Sequence, residues 1–178
     1  MSPAPISARF GIVLRRHREA AGLSQRQLSA ITGHQRTHIG HIEQGIGNPT
    51  LTLADDLACA LGTSLGEMLL EAQRLRGSGI GGPLEPGGRP GPKIAMSQAK
   101  AARPLSVYPN FGVVLRKHRH AAGLSQRALA DLAGRDMIQI GAIEQGFRNT
   151  TLAFADDLAR ALKTSVAKMI LAAEKLAG

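Results

Sequence analysis

Gly22-Leu23-Ser24-Gln25-Arg26-Gln27-Leu28-Ser29-Ala30-Ile31-Thr32-Gly33, followed without a break by His34-Gln35-Arg36-Thr37-His38-Ile39-Gly40-His41-Ile42-Glu43-Gln44-Gly45, is the stretch that decides the fold. Ser24 offers a side-chain oxygen to the free amides of a helix start, and the helix it opens runs through Leu28 to Ile31. Gly33 breaks that helix, since glycine tolerates the left-handed backbone of a helix stop. A second short helix is predicted from near Gln35, with Ile39 and Ile42 on its inner face and Gly45 as its stop. The local reading is therefore helix, tight glycine turn, helix.

The same stretch occurs twice. Displacing the chain by 101 positions lays Phe10-Gly11-Ile12-Val13-Leu14 onto Phe111-Gly112-Val113-Val114-Leu115, and the match runs on to Gly77 and Gly178. Around the central pair, Phe10, Val13, Leu14 and Arg18 have helical spacing, with Gly22 as the stop. Asn48-Pro49-Thr50 reads as a turn, and Thr50 caps a helix carrying Leu53, Leu57 and Leu61. Ser64 caps a fifth, with Leu65, Met68 and Leu69. The second copy departs from these signals at Lys163 for Gly62 and Thr150 for Pro49. No apolar pattern of period two occurs. The fold class is all-α: two homologous five-helix domains, at 6–77 and 107–178, joined by a flexible Gly/Pro-rich linker at 78–106. Such a linker spans roughly 30 Å on average, enough for the domains to lie side by side. Its Gly77-Ser78-Gly79-Ile80-Gly81-Gly82 has the glycine spacing of a dinucleotide site but lacks the required preceding strand.

Net charge is +9, and the excess is spread over both repeats and the linker, which favours a polyanionic partner. Cys59 is the only cysteine, so no intrachain disulfide forms, and a reducing, cytoplasmic setting is expected. No apolar run is long enough for a membrane span, and no signal-peptide pattern opens the chain.

Two helices joined by a short glycine turn, in 24–44, have the spacing of a helix-turn-helix, whose second helix enters the DNA major groove. The motifs Gly22-Leu23-Ser24-Gln25-Arg26-Gln27-Leu28, Ile39-Gly40-His41-Ile42-Glu43-Gln44-Gly45 and Asn48-Pro49-Thr50-Leu51 resemble the phage repressor/Cro-type, or XRE-type, regulators. So do Gly123-Leu124-Ser125-Gln126-Arg127-Ala128-Leu129, Ile140-Gly141-Ala142-Ile143-Glu144-Gln145-Gly146 and Asn149-Thr150-Thr151-Leu152. The resemblance implies phosphate contacts from Gln25, Gln44 and Asn48, and from Gln126, Gln145, Arg148 and Asn149. It implies that Arg18 with Glu43, and Arg119 with Glu144, form partly buried ion pairs that orient the recognition helix. It assigns base readout to Arg36, Thr37 and His41, flanked by Gln35 and His38. In the second copy the matching residues are Met137, Ile138 and Ala142, flanked by Asp136 and Gln139.

That second set is the sharpest departure in the chain. Arginine can address guanine O6 and N7 with two hydrogen bonds, whereas Met137 and Ile138 can touch only thymine methyls. Two readings stay open: loose, thymine-favouring DNA binding, or a helix withdrawn from readout that contacts protein instead.

His34, His38 and His41 could share a helical face, but a groove-facing polar surface accounts for them without a metal. His17 and His118 beside the apolar stripe read as structural. Leu70, Ala72 and Leu75, recurring as Leu171, Ala173 and Leu176, either complete each domain's core or pair the two copies, within one chain or in a homodimer. The expected function is sequence-specific double-stranded DNA binding by a transcriptional regulator acting as a single-chain pseudo-dimer. The alternative is a protein-interaction role, such as an antitoxin or an antagonist of another helical regulator. No cofactor, metal or enzymatic motif is expected.

Overall fold

The computed structural model describes residues 4–75 and 107–176; the predicted linker at 78–106 lies outside them, as does its glycine pattern. The order of elements is α1 (Ile6–Ala20), α2 (Gln25–Thr32), α3 (Arg36–Glu43), α4 (Leu51–Ala60) and α5 (Leu65–Arg74), then α6 (Val107–Ala121), α7 (Gln126–Ala133), α8 (Met137–Glu144), α9 (Leu152–Ala161) and α10 (Val166–Glu174). Among the described residues there is no strand, and the fold is all-α.

The helix ends follow the expected signals. Ser24 accepts from the Gln27 amide while the Gln27 side chain accepts from the Ser24 amide, a reciprocal cap. Ser64 and Glu67 repeat this at α5, and Ser125, Thr50, Thr151 and Ser165 cap α7, α4, α9 and α10. Gly33 and Gly134 stop α2 and α7 in the left-handed region, at φ 74° and 62°. Lys163 keeps the turn made by Gly62 and is itself left-handed, at φ 54°.

Each half wraps its helices around one aromatic residue. Phe10 on α1 and Phe111 on α6 are fully buried, as are Leu14, Leu28, Ile39, Leu57 and Met68 from the other turns of the first half. Burying each such side chain stabilises the fold by about 1.5–3 kcal/mol. α1 crosses α3 so closely that a Cβ on Gly11 would lie 1.9 Å from the Ile42 carbonyl oxygen. On Gly112 it would lie 2.1 Å from that of Ile143. Only glycine permits this approach, and it seats the third helix of each half against the first.

The halves also touch one another. α5 packs along α10, α1 reaches α9, and α4 reaches α6. Thr50 and Thr151 form an isolated antiparallel bridge, flanked by Leu51 N to Thr150 O and Leu152 N to Pro49 O, both 2.8 Å. The Gly66 amide donates to Glu174 Oε1 at 2.8 Å, and a Cβ on Gly66 would sit 2.5 Å from Leu171 Cδ2. Of the C-terminal apolar residues, Ala72 and Ala173 are fully buried, Leu70 and Leu171 are half-buried, and Leu176 is exposed. The carbonyls of Ala72 and Ala173 accept from Arg9 Nη1 at 3.0 Å and from Asn110 Nδ2 at 3.3 Å, fastening α5 to α1 and α10 to α6.

Candidate nucleic-acid interface

Each half holds its third helix by one buried carboxylate. Arg18 on α1 donates from Nε and Nη2 to the two oxygens of Glu43, at 2.6 and 2.8 Å, and from Nη1 to the Leu23 carbonyl at 2.8 Å. Arg119 does the same to Glu144, at 2.6 and 2.9 Å, and to Leu124 O at 2.8 Å. Both pairs are buried. Because Glu43 and Glu144 end α3 and α8, these bidentate bonds fix the third helix to both the first helix and the turn after it. The hydrogen bond with Glu43 raises the Arg18 pKa above its ordinary value, and Glu144 does the same for Arg119. Burial pushes the Glu144 carboxyl up, but Arg119 and Gln126 more than offset it and hold the carboxyl below its usual range.

Gln25 and Gln126 join the same network. Their Nε2 groups donate to Glu43 Oε2 and Glu144 Oε2, each at 2.8 Å. These side-chain amides, which the resemblance assigns to phosphate, are therefore committed to the carboxylate in both halves. Gln44 and Gln145, just beyond α3 and α8, are exposed, and so is Arg148. Asn48 and Asn149, which the resemblance also assigns to phosphate, make hydrogen bonds within the protein. Asn48 Oδ1 accepts from the Ala153 amide at 3.1 Å, and Asn149 Nδ2 donates to Thr52 Oγ1 at 3.0 Å. Both reach across the junction between the halves, because the turn that carries them leads directly into the Thr50–Thr151 bridge.

Gln35, Arg36, Thr37, His38 and His41, from the N-cap of α3 to its last turn, are all exposed. Gln35 is the N-cap of α3 but makes no side-chain cap bond. In the second half Met137 and Ile138 are exposed, at 45% and 75%, while Gln139 and Ala142 are half-buried. Asp136, N-cap of α8, accepts from the Ile138 amide through Oδ1 at 2.6 Å. The two faces therefore differ in side-chain chemistry and in how their helix starts are satisfied.

His34 does not share the outward face of its neighbours. Its Nε2 lies 3.0 Å from Asp56 Oδ2, bracing the α2–α3 turn against α4. Arg135 replaces it in the second half, pairing with Asp157 and lying over the Phe154 ring at 4.6 Å. Sequence reasoning missed this brace, although the conjoined exchange of His34 for Arg135 opposite an unchanged Asp was its one visible signal. His17 Nε2 lies 2.9 Å from Glu71, tying α1 to α5. Among the described residues no group of three or more His, Cys, Asp and Glu is arranged to hold a metal ion, and no helix is long and apolar enough to cross a membrane.

The arrangement of short helices, glycine turn and exposed third-helix face agrees with what comparison with known proteins finds. The helix-turn-helix family matches residues 14–68, and a family described as a helix-turn-helix domain matches residues 110–169. Control protein C.SmaI of Serratia marcescens is 41% identical over 56 residues, which span 32% of this chain and 67% of that protein. The crystal structure of the restriction-modification controller protein C.AhdI from Aeromonas hydrophila is 38% identical, with a TM-score of 0.35 over 36% of this chain and 98% of that one. The chain thus belongs to the XRE-type helix-turn-helix family of DNA-binding transcriptional regulators, and it carries the helix-turn-helix domain twice.

Proposed function

We propose that the chain is a controller-type regulator that binds one operator as a single-chain pseudo-dimer, with reading domains at 6–77 and 107–178. α3 and α8 enter successive major grooves about one helical turn apart. The observation that carries this reading is the meeting of Thr50 with its own counterpart Thr151, which relates the halves as subunits of a symmetric dimer are related. Gln44, Gln145 and Arg148, with the N-termini of α2 and α7, contact phosphates. Asn48 and Asn149 hold the junction. Arg36, Thr37 and His41 supply most of the sequence discrimination, Arg36 by two hydrogen bonds to a guanine. Because α3 and α8 differ, the operator is an imperfect palindrome. The two similar proteins named above are a control protein and a restriction-modification controller, and this chain takes a comparable regulatory role in the cytoplasm.

Footprinting with stoichiometry tests the reading. One chain per operator, protecting two segments a helical turn apart and released steeply by salt, is the expected result. Arg36→Ala should weaken discrimination between operator and scrambled DNA by about 1–3 kcal/mol, with helical content unchanged. Two chains per operator, or one protected segment, overturns the pseudo-dimer. The exposure of Met137 and Ile138 favours a second reading, in which α8 contacts another helical protein as an antitoxin or antagonist does. That reading wins if Met137→Ala and Ile138→Ala disturb association and leave DNA affinity unchanged.

A further inference from the structure

α3 and α8 hold equivalent places but opposite chemistry. Where α3 presents Arg36 and Thr37, α8 presents Met137 and Ile138, and Ile138 is 75% exposed. Asp136 occupies the Ile138 amide at 2.6 Å, so that backbone donor is already taken. At positions 137 and 138, then, the start of α8 offers methyl and methylene groups and one thioether sulfur, with no side-chain donor and no strong acceptor. Asp136 is exposed beside this apolar tip, and the same half exposes basic residues, among them Arg127 at the start of α7, Arg148 beyond α8, and Arg116 and Lys117 on α6. An apolar helix start on a half with exposed basic residues suits a polyanion that displays small apolar groups. In the major groove those groups are the methyls on pyrimidine C5.

We propose that the second half reads pyrimidine C5-methyl groups as such, and that it therefore accepts 5-methylcytosine as it accepts thymine. The two bases differ at position 4, a carbonyl oxygen in one and an amino group in the other. Ile138 has no donor or acceptor with which to distinguish them, and the Met137 thioether is only a weak acceptor. Methylation of cytosine C5 in this half-site would tighten binding, making the regulator responsive to the modification state of its operator. The inference rests on the reading that α8 lies in a major groove.

The test uses the full chain and an operator duplex that the protein has itself selected from a random pool. Anisotropy titrations compare forms differing only at pyrimidine C5: thymine against deoxyuridine, and cytosine against 5-methylcytosine, at each position in turn. Each contacted methyl should change affinity about fourfold, the factor for burying one such group. The effect should be confined to one half-site, and the ratio of methylated to methyl-free affinity should fall to one in Ile138→Ser. Tight, selective binding that ignores the methyl groups overturns the inference while the DNA-binding reading stands. A methyl response that persists in Ile138→Ser also overturns it, as does an Ile138→Ser variant altered only in protein association. Failure to select or bind any duplex removes the underlying reading as well.

Discussion

Thr50 and Thr151 occupy the same position in the two halves, and their backbones bridge to each other. A residue that meets its own counterpart lies on a two-fold axis. The flanking bonds obey it: Leu51 N to Thr150 O and Leu152 N to Pro49 O are equivalent and equal at 2.8 Å. Side chains depart from the symmetry where the sequences do. Asn48 accepts across the axis from a backbone amide because Ala153 has no hydroxyl, whereas Asn149 donates to the hydroxyl of Thr52.

Gly66 leaves no room for a Cβ at the junction. Gly66→Val would press a Cβ to 2.5 Å from Leu171 Cδ2 and 2.7 Å from Glu174 Oε2. Valine is a better helix former than glycine, so any loss must come from the junction rather than from α5 itself. The expected cost is about 1–3 kcal/mol of overpacking. Sedimentation should show a more extended chain, and operator affinity should fall as the halves cease to bind as a unit. An unchanged sedimentation coefficient with full affinity would show that the α5–α10 contact is dispensable.

Glu43→Ala leaves the buried Arg18 guanidinium without its carboxylate and strips Gln25 of its acceptor. Breaking such a pair costs about 3–5 kcal/mol, a large share of what a domain of this size has. Melting followed by circular dichroism should separate into two steps, with only the second half retaining its helices at the upper one. Arg18→Met combined with Glu43→Leu should recover much of the lost stability, because the charges then leave the interior together. A single wild-type-like melt for Glu43→Ala would mean that the pair is solvated and of little weight.

The helices were legible because their signals are local. Ser24, Thr50 and Ser64 each lie where a cap was predicted, and Gly33 takes the left-handed backbone of a stop. The Arg18–Glu43 and Arg119–Glu144 bonds came from resemblance, since nothing local joins residues 25 positions apart. The hydrogen-bond partners of Gln25, Asn48 and Asn149 within the protein were not legible. An amide side chain can face a phosphate, a carboxylate or a hydroxyl equally well, and only the three-dimensional neighbours decide. Glu174 was invisible for the same reason: its partner Gly66 lies 108 positions away, in the other half.

Lys163 carries the turn that Gly62 makes in the first half, at φ 54° against 71°. The hydrogen bonds around it are kept, with Lys163 N to Arg160 O at 3.0 Å and Thr164 N to Ala159 O at 2.9 Å. A side chain in this region costs roughly 1–2 kcal/mol, of which the greater unfolded-state freedom of glycine takes back part. Lys163→Gly should therefore raise the melting temperature of the second half, by about 1 kcal/mol in stability. A lowered melting point would show that the Lys163 side chain makes a compensating contribution.

Glu174 is a carboxylate at the junction whose counterpart in the first half is Gln73. Burial raises its pKa above the ordinary carboxylate value, and the hydrogen bond from Gly66 offsets only part of this. Between the unfolded value of about 4.3 and the higher folded one, the folded chain holds more protons than the unfolded chain. Stability through this group consequently falls as pH rises across that window, and the penalty persists above it. Glutamine keeps an acceptor for the Gly66 amide but cannot ionise, so Glu174→Gln should melt higher than the parent at neutral pH. The gap should close as pH falls to the unfolded carboxylate value. Glu144 works in the opposite sense, its contribution being lost as pH falls through its lowered folded pKa, but it is common to both proteins and cancels in the difference. Equal melting points at neutral pH would mean that water reaches Glu174 and that the junction is not closed over it.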